Sequence, residues 1–91
     1  MSIQWLFDVI QDRMNNPAEK SYTSSLFKDG LPKIAQKVGE EGTEVVVAAL
    51  AQDDQRLIEE VADLTYHTLV LLAARGLTPT QVVAELEKRH K

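Results

Sequence analysis

The chain has 91 residues, a formal net charge of −4, and contents of 44% hydrophobic and 26% charged residues. These proportions are typical of an ordered globular domain. An acidic chain without a basic stripe argues against a general nucleic-acid or membrane-surface partner. There is no cysteine, which excludes disulfides, zinc–thiolate sites and thiol catalysis. The sequence shows neither a secretory signal nor an apolar segment that could cross a bilayer, so we expect one cytoplasmic domain over residues 1–91.

Apolar residues recur at helical spacing in four segments, and no strand pattern competes with them, so the sequence predicts an all-α fold of four to five helices. The first helix is predicted to have Ser2 as its N-cap and to end near residues 15–17, and the second to run from Pro32 to about Ala51. The third is capped by Asp53 or Asp54 and ends with Arg75 and Gly76, and the last begins with Thr78 and Pro79. Gly39 and Gly42 each cost about 1 kcal/mol relative to alanine inside a helix. We therefore expect another backbone or a ligand to approach closely there.

The segment from Pro17 to Pro32 is rich in turn formers and has no sustained period, so it is predicted as a loop with at most a short helical turn around residues 24–28. It places hydroxyl groups beside a lysine, and further lysines follow. Hydroxyls, backbone N–H groups and lysines together suit phosphate binding, although plain loops share this composition. The candidate phosphate or substrate contacts are Ser21, Tyr22, Thr23, Lys33 and Lys37.

Two acidic pairs stand inside the two most apolar helical stretches: Glu41 with Glu44, and Glu60 with Asp63. Residues three apart on a helix have neighbouring side chains, so each pair can act as a two-carboxylate claw. If the two helices pack side by side, the claws face one another and repel unless cations neutralise them. Oxygen-rich sites of this kind suit Mg²⁺ or Mn²⁺, and the pattern therefore favours metal-dependent phosphoanhydride chemistry.

The spacing alone is not specific, because chance gives about two such pairs in a chain with 14 acidic residues. Either pair taken singly also fits a solvated helix face or an ion pair, such as Lys37 with Glu41. His67 continues the stripe of Glu60 and Asp63, where it is a candidate substrate contact or a packed, hydrogen-bonded histidine. What distinguishes the pairs is their apolar surroundings, in which a carboxylate needs a partner.

Three runs of sequence together resemble the phosphoribosyl-ATP pyrophosphohydrolase family of histidine biosynthesis. They are residues 21–23 (SYT), 37–45 (KVGEEGTEV) and 59–67 (EEVADLTYH), with Gly30 between the first two. The acidic pairs by themselves mark only the wider MazG-like superfamily of all-α nucleotide pyrophosphohydrolases. The likeness extends from the first helix to about Leu86.

The resemblance implies Mg²⁺-dependent hydrolysis of phosphoribosyl-ATP between its α and β phosphates, giving phosphoribosyl-AMP and pyrophosphate. It also implies an intertwined helical-bundle homodimer, which agrees with the small size of the chain. The resemblance further implies that Lys37 approaches the phosphates and that residues 21–23 help to hold the substrate. The implied metal ligands are Glu41, Glu44, Glu60 and Asp63, with Glu40 as a further ligand or a proton acceptor.

Two other functions remain open on the sequence. The first is a house-cleaning pyrophosphohydrolase that uses the same carboxylates on ordinary or damaged dNTPs. The second is a non-catalytic helical dimerisation module whose acids are merely solvated. A preference for phosphoribosyl-ATP or for dNTPs distinguishes the family's reaction from the house-cleaning activity. Binding of Mg²⁺ or Mn²⁺ distinguishes an enzyme from a dimerisation module.

Overall fold

A computed structural model describes residues 1–90, which form five α-helices and no strand. The helices are α1 (Ile3–Asn15), α2 (Tyr22–Asp29), α3 (Leu31–Ala51), α4 (Asp54–Ala74) and α5 (Pro79–Arg89). The all-α prediction is therefore confirmed. No single helix is long and apolar enough to cross a membrane in this part of the chain; α4 and α5 pass that test of length and composition only as a pair bent by 106°.

The predicted helix ends are confirmed because they rest on local capping chemistry. The hydroxyl of Ser2 accepts from the backbone N–H of Trp5, and the carboxylate of Asp53 accepts from that of Arg56. Thr78 and Gln81 form a reciprocal capping box at the start of α5. At the end of α4, Gly76 has φ +71°, and bonds from Gly76 N to Ala73 O and from Leu77 N to Leu72 O close a Schellman motif.

The prediction of a mainly irregular segment from residue 17 to 32 is wrong in part, because residues 22–29 form the regular helix α2. Ser21 is its N-cap and accepts a hydrogen bond from the backbone N–H of Ser24. Leu26 is 2% exposed and belongs to the core, so tertiary burial supports a helix whose own sequence is weakly helical. Gly30, with φ +96°, ends α2 and begins α3.

The longest helices, α3 and α4, form an antiparallel hairpin joined only by Gln52 and Asp53. The other helices pack near the open end of this hairpin. The core accordingly gathers there, from all of α1 to α4, and consists of Phe7, Ile10, Leu26, Ile34, Leu69, Val70 and Ala73. Towards the hairpin turn only Ala48 is a buried hydrophobic residue. The acidic pairs therefore lie on the hairpin between the core and the turn.

Candidate metal centre and active site

The hairpin register brings the two acidic pairs together. Glu41 precedes Gln52 by 11 residues and Asp63 follows Asp53 by 10. Two antiparallel helices rise equally per residue, so positions at similar distances from their connection lie side by side. Glu41, Glu60 and Asp63 each offer a ligand oxygen, and these atoms lie within 4.8 Å of one another. Of the four carboxylates predicted as ligands, three thus form one group.

Two oxygens of this group have no hydrogen-bond partner in the part of the chain that the structure describes. Glu41 is 7% exposed and Glu60 is 5% exposed. Among residues 1–90 no hydrogen-bond donor reaches Glu41 Oε2 or Glu60 Oε2. Buried carboxylate oxygens without a donor cost free energy, and a divalent cation between them would remove that cost. The donor set, which consists of carboxylate oxygens, suits a hard cation such as Mg²⁺ or Mn²⁺. The residues therefore fit a metal ion.

Glu44 lies on the other side of Glu60, nearer the hairpin turn. Its side chain is exposed, and with Glu60 it lines a cavity of about 270 Å³. The closely placed Glu44 side chain, burial, and repulsion from the Glu44 carboxylate raise the pKa of Glu60. A site that makes a carboxylate harder to ionise is one that a cation stabilises. Glu44 is thus adjacent to the group without being one of its three members.

Arg56 is a residue of this site that the sequence reading missed. Its guanidinium donates to Glu59 Oε1 at 2.6 Å and to Glu60 Oε1 at 2.8 Å. The hydrogen bond to Glu59 is the main cause that raises the pKa of Arg56. The guanidinium thus holds Oε1 of Glu60, while Oε2 is buried and no donor among residues 1–90 reaches it. Arg56 precedes Glu59 by three residues and Glu60 by four, and this helical spacing could have predicted both ion pairs.

Glu40 is exposed, and its Oε1 accepts a hydrogen bond from Gln36 Nε2 at 3.1 Å. It is not part of the three-carboxylate group. Lys37 is half-buried one turn before Glu41, and Lys33 is exposed two turns before it. In the described residues all ion pairs within 4.0 Å involve arginines, so the alternative pairing of Lys37 with Glu41 is not formed. Both lysines keep their charge available on the helix that carries Glu41.

The residues predicted to contact substrate at the loop lie at the start of α2. Ser21 uses its hydroxyl as the helix cap. Tyr22 Oη lies 3.1 Å from His67 Nε2, and the hydroxyl of Thr23 is hydrogen-bonded to that of Tyr66. His67 is buried, so the structure agrees with its interpretation as a packed, hydrogen-bonded histidine. Tyr66, whose pKa is raised mainly by burial, belongs to the third family-like run but was not among the predicted site residues.

Comparison with known proteins identifies the family. The family model described as phosphoribosyl-ATP pyrophosphohydrolase matches residues 4–90. The chain belongs to this family. It is 56% identical to the phosphoribosyl-ATP pyrophosphatase of Lacticaseibacillus casei over 89 residues, which are 98% of this chain and 81% of that protein. It is 51% identical to that of Sulfolobus acidocaldarius, again over 98% of this chain and over 94% of that protein.

A relative named phosphoribosyl-ATP pyrophosphatase in Clostridium botulinum is 47% identical over the same share of this chain and 81% of its own length. The resemblance seen in the three sequence runs is therefore confirmed over nearly the whole chain. Members of the family are hydrolases of acid anhydrides, and this chain is an enzyme of that class. Membership of this enzyme family argues against the alternative of a non-catalytic dimerisation module.

Proposed function

We propose that this chain hydrolyses phosphoribosyl-ATP at the α–β phosphoanhydride and releases pyrophosphate, with Mg²⁺ as the preferred cofactor and Mn²⁺ as a substitute. The proposed reaction is the second step of histidine biosynthesis, and the proposal includes a cytoplasmic location for the enzyme. The relatives' names supply the substrate. The observation that carries the chemistry is the group of three carboxylates, in which two buried oxygens meet no donor from residues 1–90.

Glu41, Glu60 and Asp63 would hold the ion, and Glu44 would complete the ligand set from the cavity beside Glu60. A bound divalent cation would neutralise the phosphates and activate the attacking water. Arg56 orients Glu60 by holding its other oxygen. Glu40 lies outside the carboxylate group, so it would act as the proton acceptor rather than as a further metal ligand.

The phosphate-binding charge comes from the same helix as Glu41. Lys37 and Lys33 precede that carboxylate by one and about two turns and have no acidic partner among residues 1–90. Cations placed beside a carboxylate group offset its repulsion of a triphosphate. The start of α2, with Ser21 to Thr23, would hold the substrate on the side of His67. Binding and chemistry would thus be divided between α2 and the hairpin.

Product analysis tests this proposal directly. The protein is incubated with phosphoribosyl-ATP and Mg²⁺, and we expect phosphoribosyl-AMP and pyrophosphate in equal amounts. Chelation of the cation should stop the release of pyrophosphate. A panel of dNTPs, tested under the same conditions, should be turned over much more slowly. Preference for a dNTP would overturn the assignment in favour of a house-cleaning enzyme.

Replacement of one carboxylate provides a second test of the proposed function. Glu44→Gln keeps the size of the side chain and removes its charge, and Glu44 is exposed, so the fold should be retained. We expect this variant to lose pyrophosphate release by at least about a hundredfold, the scale on which single electrostatic groups act in catalysis. Glu87→Gln changes another exposed glutamate on α5 and is the matched control. Full activity of Glu44→Gln would contradict the proposed ligand set.

A further inference from the structure

The first turn of α2 is bonded to two consecutive residues of α4. Tyr22 reaches His67 Nε2 at 3.1 Å, and the hydroxyls of Thr23 and Tyr66 are hydrogen-bonded to each other. The backbone of α2 packs mainly on α1 and α3. These side chains therefore provide a direct link from the start of α2 to the helix that carries Glu60 and Asp63.

The hydrogen bonds of His67 have a defined direction. Its Nδ1 lies 2.8 Å from the backbone carbonyl oxygen of Asp63, and a carbonyl can only accept. Nδ1 therefore carries the hydrogen, and in the neutral ring Nε2 is the acceptor. The hydroxyl of Tyr22 then donates to Nε2. A continuous chain of hydrogen bonds runs from Tyr22 through His67 to the backbone of a candidate metal ligand.

The three rings also pack against one another. The ring centroids of Tyr66 and His67 are 5.0 Å apart in an edge-to-face arrangement, and those of Tyr22 and Tyr66 are 6.3 Å apart at 28°. Such aromatic contacts favour one mutual orientation. His67 is 5% exposed and both of its ring nitrogens are bonded, whereas Tyr22 is 53% exposed. His67 is thus poorly placed to contact substrate, although it controls a residue that can.

We propose that His67 is a positioning residue, which holds Tyr22 and the start of α2 in a fixed place relative to Asp63. The inference rests on the proposed function, because the proposed function assigns substrate binding to the start of α2. The link makes the substrate-binding turn and the carboxylate group one rigid unit. Positioning of this kind acts on catalysis through geometry, where small displacements are costly.

A double-mutant cycle on Tyr22 and His67 tests the link. Tyr22→Phe removes only the hydroxyl, and we expect KM for phosphoribosyl-ATP to rise about fivefold, on the scale of one neutral hydrogen bond. The midpoint for activation by Mg²⁺ should stay within twofold. Because the Tyr22 hydroxyl is proposed to act only through its bond to His67, Tyr22→Phe should raise KM no further in a His67→Leu background. Multiplicative effects in the double variant would show that the hydroxyl contacts substrate directly and would overturn the proposal.

Two further variants separate positioning from general damage. His67→Gln offers an oxygen to the Tyr22 hydroxyl, so its KM should lie closer to that of the unaltered enzyme than the KM of His67→Leu. Thr68→Val is the matched control, because the Thr68 hydroxyl bonds within α4 to Leu64 O and does not reach α2. It should leave KM unchanged. Equal KM values for the glutamine and leucine variants would count against the link.

Hydrogen exchange gives a readout that does not need turnover. The amides of Ser24 and Ser25 bond to Ser21 in the first turn of α2. We expect them to exchange at least about threefold faster in Tyr22→Phe and at the normal rate in Thr68→Val. Unchanged exchange in Tyr22→Phe would refute the link even in an active enzyme. Absence of phosphoribosyl-ATP turnover in the unaltered protein, with faster exchange in the variant, would refute the proposed function alone.

Discussion

Glu60 combines two different environments in one side chain. Its Oε1 accepts from Arg56 at 2.8 Å, whereas its Oε2 is buried without a donor among the described residues. Its neighbour Glu59 is exposed and is held by the same guanidinium. The pKa of Glu60 is higher in the folded state than in the unfolded chain. At any pH above the unfolded value, the ionised Glu60 carboxylate therefore lowers the free energy of unfolding. This loss disappears as the pH falls and Glu60 becomes protonated. At neutral pH only a cation offers the same relief.

We therefore predict that Glu60→Gln is no less stable than the unaltered protein at neutral pH without divalent cations. With Mg²⁺ at a hundred times its Kd, the unaltered protein should gain about 2.7 kcal/mol. Glu60→Gln should gain little, because a neutral amide does not replace the carboxylate as a ligand. Thermal denaturation with and without Mg²⁺ measures both effects.

Glu59→Gln is the matched control, since it also loses a bond to Arg56 but lies outside the carboxylate group. It should respond to Mg²⁺ as the unaltered protein does. Equal responses of the two variants would show that Glu60 does not bind the cation.

Residue spacing predicted part of this site and could not predict the rest. Glu41, Glu60 and Asp63 were found because a helix fixes the relation of residues three apart. The partner of His67 is 45 residues away in sequence, and its identity depends on how α2 is rotated against α4. A reading that treated residues 17–32 as a loop had no helix to rotate. The sequence therefore predicts Tyr22 and Thr23 only as phosphate or substrate contacts, and not as hydrogen-bond partners of α4.

At the level of elements, the helices that were predicted well are those with strong local signals. Capping residues bound α1, α4 and α5, and Gly30 with Pro32 marks the start of α3. The helix α2 has only eight residues, and its first turn is rich in residues of low helix propensity. Its stability comes from burial of Leu26 and from the cap at Ser21, of which only the second is local. A short helix supported by tertiary contacts is therefore easily mistaken for a loop.

The glycines give a test at this scale. Apart from the neighbouring backbone of α3 itself, no atom of residues 1–90 lies within 4 Å of a Cβ built on Gly39 or Gly42, so these residues do not show the expected close approach of another backbone. Gly39→Ala should therefore raise the free energy of unfolding by about 1 kcal/mol, the difference in helix propensity. Urea denaturation measures the change.

Gly30→Ala should have the opposite effect. A Cβ there would meet only Pro32 Cδ at 3.9 Å, but φ +96° with ψ 174° is a conformation that alanine adopts at a cost of about 1–3 kcal/mol. The same measurement should show a loss of that size. A destabilised Gly39→Ala variant would mean that a second chain or a ligand occupies the space beside α3.

At the scale of the whole molecule, the chain is less compact than its length requires. Its radius of gyration is 14.2 Å, against about 12 Å for a typical compact domain of this length. The turn of the α3–α4 hairpin and one side of α5 expose large apolar side chains. These are Val46, Val47, Leu50, Ile58, Val61, Val82, Val83 and Leu86. Monomeric proteins rarely leave so many such residues uncovered, and we expect a second copy of the chain to cover them.

This expectation predicts that stability depends on protein concentration. If unfolding separates a homodimer, a hundredfold increase in concentration should raise the apparent free energy of unfolding by about 2.7 kcal/mol. Leu50 is 83% exposed in the single chain, so Leu50→Glu would change the stability of a monomer very little. In the dimer the same charge would be buried without a partner, and the concentration dependence should disappear as the chain becomes monomeric. Urea denaturation and light scattering of the unaltered protein and of Leu50→Glu, each at both concentrations, distinguish a dimer from a monomer. If the unfolding midpoint of the unaltered protein does not change with concentration, the chain is a monomer and the expectation is wrong.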